Sequence, residues 1–96
     1  MAEVVELFAR DAPRRLGVLR EAVRRGDTAV LEQTAHALKG SAAHVGARVL
    51  TAVCARLEEV ALGGAPADVE ELLDAAEGEL GRVTAALADE IAGREP

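Results

Sequence analysis

Gln33-Thr34-Ala35-His36-Ala37-Leu38-Lys39-Gly40-Ser41-Ala42-Ala43 decides how the rest of this 96-residue chain is read. At about 100° per residue around a helix, with His36 set at zero, Leu31, Ala35, Leu38, Ala42 and Val45 fall between roughly 180° and 260°. They form one apolar stripe. Ala29, Glu32, Gln33, Lys39, Gly40 and Ala43 lie within about 60° of His36 on the opposite side. The imidazole therefore points away from the core, with an ammonium one turn on at Lys39. Ala29, Gly40 and Ala43 leave the surface around it almost bare, which suits close approach by another protein.

The flanking segments read as three more amphipathic helices. Val5, Phe8, Ala12, Leu16, Leu19 and Val23 repeat at three-four spacing across residues 4–25. Pro13 removes an amide inside that pattern, so a kink or a fresh start is expected near Asp11. Gly26 and Gly46 stand where left-handed C-caps are expected, bounding a second helix over 28–45 capped by Asp27 or Thr28. A third, over 47–62, turns Leu50, Val53, Cys54 and Leu57 inward, with Val60 or Ala61. Gly63-Gly64-Ala65-Pro66 breaks the chain, and a fourth helix over 66–92 has the seam Leu73, Ala76, Leu80, Val83, Leu87 and Ile91. Gly78 and Gly81 inside it cost about 1 kcal/mol each against alanine; close packing is the one structural use that suggests itself. Short connections predict an all-α, antiparallel up-down-up-down four-helix bundle, with residues 1–96 as one domain.

Composition narrows the function. Half the residues are apolar, yet Phe8 is the sole aromatic, which favours close-packed helices over sheets. The net charge of −6 argues against a nucleic-acid partner. Six arginines and four acids lie in residues 1–26, and eleven acids with two arginines follow from Glu58 onward. The first and last helices can therefore pair their charges if they are neighbours. No apolar run approaches the ~20 residues that cross a bilayer, and no signal peptide is recognisable, so a cytoplasmic setting is expected. The lone Cys54 excludes an internal disulfide and reads as a small core residue. His36, His44 and Cys54 have no metal-ligand spacing, so no metal is expected. Paired catalytic carboxylates, a nucleophile elbow and a glycine-rich phosphate loop are all missing, which argues against a self-sufficient enzyme.

His36-Ala37-Leu38-Lys39-Gly40-Ser41, followed by Gly46-Ala47, resembles the His-x-x-Lys-Gly-Ser…Gly-Ala signature of histidine-containing phosphotransfer (HPt) domains. The resemblance extends from Leu7-Phe8 to the last helix. It implies a phosphorelay intermediate that takes a phosphoryl group on His36 from a receiver-domain aspartate or a kinase and passes it to another receiver. Such a module is expected to be a monomer without a bound cofactor, Mg²⁺ belonging to the receiver's acidic pocket. Its partners would be response-regulator receiver domains, a sensor histidine kinase, or both. The dimerising histidine domain of a kinase is a poorer match, since it requires a proline soon after the histidine.

The chemistry fits the residue types. A neutral imidazole nitrogen is a competent nucleophile near neutral pH, and Lys39 could supply positive charge for phosphoryl oxygens. Gly40 leaves room for a partner's loop, and Ala29, Glu32, Gln33 and Ala43 could line the docking face, joined by apolar residues of the second and third helices. In the family a Glu or Gln about 22 residues past the histidine orients the ring; Glu58 stands there. If the hairpin turns at Gly46, His36 faces the region of Arg56, with Glu58 within one turn. A solvent-facing Glu58, or one paired with Arg56, is the plainer alternative. The Ser41 hydroxyl is expected on the Ala37 carbonyl, and His44 on the surface. The competing function is a helical adaptor bundle whose histidine is never modified.

Overall fold

The computed structural model describes residues 2–63 and 68–94, with backbone alone for residues 2, 4, 91, 92 and 94. Four helices follow in order: α1 (Ala2–Arg25), α2 (Thr28–His44), α3 (Arg48–Ala61) and α4 (Val69–Arg94). The bundle measures 49 × 18 × 17 Å. Among the described residues each helix packs on two neighbours, α1 on α2 and α4, and α3 on α2 and α4, while the diagonals do not meet. That is the square section of an up-down-up-down bundle.

Glycine turns set its connections. Gly26 has φ +69°, Asp27 N–H bonds the Ala22 carbonyl at 2.9 Å, and Gly26 N–H bonds that of Val23 at 3.2 Å. Gly46, at φ +78°, repeats the arrangement: Ala47 N–H reaches the Ala42 carbonyl at 2.8 Å and Gly46 N–H that of Ala43 at 3.1 Å. Both are Schellman ends, which satisfy the last free carbonyls and reverse the chain at once. Asp27 then caps α2, its carboxylate accepting from Val30 N–H at 3.1 Å. Asp68 does the same for Glu71 N–H at 3.2 Å, so α4 opens at Val69, later than the expected residue 66. Gly64 and Pro66 lie outside the described residues.

Three expectations need correction. First, α1 is not broken at Pro13: it is helical throughout, and Pro13 is exposed. Phe8 and Ala12 on one side of the proline and Leu16 and Leu19 on the other are all buried in the same core, so tertiary packing carries the helix across the missing hydrogen bond. Asp11 does not cap a new helix; it pairs with Arg14 at 3.1 Å and Arg15 at 3.4 Å. Second, Gly78 and Gly81 do not serve close packing, because a Cβ at either would meet nothing within 4 Å. The structure offers no reason for them. Third, the Ser41 hydroxyl makes no bond to the Ala37 carbonyl; Thr51 and Thr84 make that kind of bond, at 2.7 Å each.

The core follows the periodicity read from sequence. Leu31, Ala35, Leu38 and Ala42 of α2 are buried against Leu50, Cys54 and Leu57 of α3, Leu19 of α1 and Leu73 of α4. Val5, Val23, Val45, Val53, Val60, Ala61, Val83 and Leu87 are half-buried at its margins. Ala22 and Ala47 join the core unforeseen; the side chain of Ile91 lies outside the described residues. No helix among the described residues is long and apolar enough to cross a membrane.

Candidate functional site

With the stripe of α2 buried, the opposite face is held outward. Ala29, Gln33, His36, Gly40 and Ala43 are exposed there, and Glu32 and Lys39 are half-buried. The His36 side chain is 68% exposed. A Cβ at Gly40 would meet nothing within 4 Å, so the surface one turn from the imidazole is open.

Glu58 reaches this face from α3. The Schellman turn at Gly46 fixes the α2–α3 register, and Glu58 Oε2 lies 3.1 Å from His36 Nδ1. Its other oxygen, Oε1, lies 2.5 Å from Lys39 Nζ. The Lys39 contact is an ion pair that joins α2 to α3. Only 13% of the Glu58 side chain is exposed. Lys39 foremost, and then His36, hold its carboxyl below the ordinary 4.5 against the opposing cost of burial. The carboxylate is therefore ionised at neutral pH and can only accept. Nδ1 must carry the proton in that contact, so a neutral ring keeps its lone pair on Nε2, the nitrogen turned away from α3. The arrangement presents an oriented, outward nucleophile with an ammonium beside it.

Lys39, read from sequence as a mobile ammonium for phosphoryl oxygens, rests on Glu58 in this structure. Arg56, the alternative partner for Glu58, is exposed. Cys54, one turn before Glu58 on α3, is wholly buried. Burial, aided by the Glu58 charge, pushes its thiol up to about 12, so it stays protonated and takes no part. Among the described residues no cluster of three or more His, Cys, Asp or Glu could hold a metal ion.

Beside His36 the structure has an open apolar surface that draws on α1, which the sequence reading of α2 and α3 residues had not included. It is a groove of about 500 Å³ between α1 and α2, lined by Leu7, Phe8 and Ala12 from one side and Ala37, Gly40 and Val45 from the other. His36 and His44 stand at its edge, and Asp11, Arg15 and Ser41 are its other polar members. Leu7 is 60% exposed there. The sequence reading passed over Leu7 and Arg15; the signal available was that both lie beyond the edge of the α1 core stripe.

The comparisons agree with this geometry. The Hpt domain family model matches residues 3–92. The fold is similar to the crystal structure of histidine-containing phosphotransfer protein B (HptB) from Pseudomonas aeruginosa PAO1. The TM-score is 0.88 at 30% identity, over 96% of this chain and 80% of that one. No curated protein sequence matches significantly. With a family match across nearly all its length and a bundle that presents a tethered, outward histidine, the chain belongs to the Hpt domain family, whose role is histidine phosphotransfer in phosphorelay signalling.

Proposed function

We propose that Nε2 of His36 is the atom that carries the phosphoryl group, received from the aspartyl phosphate of a receiver domain and returned to a second one. The observation that carries this reading is the Glu58 contact on Nδ1, which leaves the lone pair of an exposed ring on its outward nitrogen. In the transfer step that lone pair attacks phosphorus, a P–N bond forms, and the P–O bond to the receiver's aspartate breaks with departure of its carboxylate. The Nδ1 proton stays on the ring, and the positive charge that develops there is balanced by Glu58. Lys39 moves from Glu58 to the phosphoryl oxygens as they arrive, so the carboxylate exchanges one cation for another without being left unpaired. Return to a second receiver reverses each bond change.

The bare surface at Gly40, with Ala29 and Ala43, admits the receiver's active-site loops, and Gln33 and Glu32 border the contact. Any Mg²⁺ the step requires belongs to the receiver's acidic pocket. The chain needs no catalytic site of its own, acts as a monomer in the cytoplasm, and exchanges phosphate with response-regulator receivers and with a sensor kinase where one is paired with it. Nucleic acid is not a partner. The deciding experiment is incubation with a phosphorylated receiver domain. Acid-labile, base-stable phosphate is expected on the wild type and none on His36→Gln. Equal label on both chains would move the phosphoryl group to another residue; label on neither, across several receivers, would leave an adaptor bundle.

A further inference from the structure

Among the described arginines of α1, Arg15 alone has a buried donor without a partner. Arg20 engages three carboxylates of α4, and Arg24 and Arg25 share Glu21. Arg15 has one contact, Nη2 to Asp11 Oδ2 at 3.4 Å, while Arg14 holds the other Asp11 oxygen at 3.1 Å. The Arg15 side chain is 29% exposed, and its Nε is sealed from water with no hydrogen-bond partner. A guanidinium with five N–H donors is thus held in the groove wall by a single long contact. Its present pose leaves a donor unmet, which favours turning toward an acceptor placed over the groove.

Position supplies the acceptor. The same groove is edged by His36 and Gly40. Nδ1 of His36 is tied to α3 through Glu58, so Nε2 faces away from α3, and a protein reaching it comes to lie over the α1–α2 side. Here an apolar strip, Leu7, Phe8 and Ala12, lies beside Arg15, whose one partner, Asp11, is shared with Arg14 outside the groove lining. A surface that fits this pattern is an amphipathic helix with apolar residues toward Leu7 and Phe8 and a carboxylate toward Arg15. We propose that Arg15 is a specificity-determining contact of the phosphotransfer reaction, pairing with an acidic side chain on the receiver helix that lies in the α1–α2 groove. The inference rests on the phosphohistidine reading above and adds to it the side of approach and the charge of the partner's contact.

Two phosphoryl donors separate the two ideas. A phosphorylated receiver domain that serves the wild type needs docking; phosphoramidate, a small donor, needs only the imidazole. Arg15→Ala should raise the receiver KM about tenfold and Arg15→Glu more, with kcat within about twofold. Arg15→Lys should recover part of the loss, and labelling by phosphoramidate should be unchanged in all three. Leu7→Ser, at an exposed position where folding is not at stake, should also raise KM. Circular dichroism checks that each variant remains helical. An unaltered KM in Arg15→Ala and Arg15→Glu overturns the contact. A fall in kcat and in phosphoramidate labelling at constant KM overturns it too, by placing Arg15 on the chemistry. Absence of label from both donors on the wild type would instead sink the phosphohistidine reading, and this inference with it.

Discussion

Two charge networks tie neighbouring helices of this bundle together, and they differ in what water can reach. Between α2 and α3, one carboxylate, Glu58, serves two cationic partners: His36 Nδ1 at 3.1 Å and Lys39 Nζ at 2.5 Å. It is 13% exposed. Between α1 and α4, one cation, Arg20, serves three carboxylates: Glu77 at 3.0 Å, Asp74 at 3.1 Å and Glu70 at 3.7 Å. Those three are 65–72% exposed. By number of partners the second is the richer. Solvent nevertheless screens its exposed carboxylates, whereas the sheltered Glu58 fixes a tautomer and a direction. Each network also has an open helical glycine nearby, Gly40 beside His36 and Gly81 beside Arg20, and at neither would a Cβ touch anything.

That pairing of glycines gives the largest expected contrast. Gly40→Gln and Gly81→Gln should both stabilise the fold, by about 0.5–1 kcal/mol, because each replaces glycine in a helix interior without a steric conflict. Only Gly40→Gln should lose function, with transfer from a phosphorylated receiver falling at least about a hundredfold as the new side chain stands where the partner must come. Melting curves and receiver-transfer rates on the two variants settle it. A Gly40→Gln protein that relays at the wild-type rate breaks the open-approach argument; one that melts lower contradicts the open space itself.

The same two regions show what could be read from the residues alone. Helical period fixes angles within one helix, so the outward His36 and the buried Leu31, Ala35, Leu38 and Ala42 were legible. Glu58 was legible through the family resemblance, which puts a ring-orienting residue there; the hairpin turn at Gly46 by itself pointed to the region of Arg56 and left Glu58 within one turn of it. The Lys39–Glu58 pair was not, since it depends on rotamers of long side chains that period does not constrain. The groove between α1 and α2 was missed for a related reason: patterning says which residues face inward, not how widely two helices part above them. Pro13 shows local chemistry overruled by a core that continues on both sides of it.

Next in size is Glu58→Ala. Losing a charge-assisted hydrogen bond of about 1.5–3 kcal/mol at a largely exposed ring should slow transfer about tenfold. ¹⁵N spectra of the imidazole should show the proton redistributed to Nε2, and Glu58→Gln, which keeps an acceptor, should retain the Nδ1–H form. A normal rate with an unchanged tautomer would remove Glu58 from the site. Stability carries a second signature. Because Glu58 titrates below 4.5 when folded, the unfolded chain takes up its proton first as pH falls. Its contribution is full above about 4.5 and is lost as pH descends through the folded value. Asp11 and Glu21 are also held low by their arginines and act in the same direction. The test is therefore the difference between wild type and Glu58→Gln, which should shrink on acidification. A difference independent of pH would mean that the Lys39 pair does not stabilise the fold.

The smallest effect belongs to the network with the most partners. Arg20→Ala removes every α1–α4 ion pair that Arg20 makes, yet the carboxylates left behind are already hydrated and keep their water. The melting temperature should drop by no more than a few degrees in dilute buffer, with receiver transfer unaltered. In about 1 M salt, where charges are screened within roughly 3 Å, wild type and variant should melt together. A large drop that persists in salt would mean that the Arg20 stem, lying along the groove of Leu16, Gly17 and Leu80, holds α1 to α4 by packing. In that case the α1–α4 contact would be a hydrophobic one, and burial rather than partner number would govern both halves of the bundle.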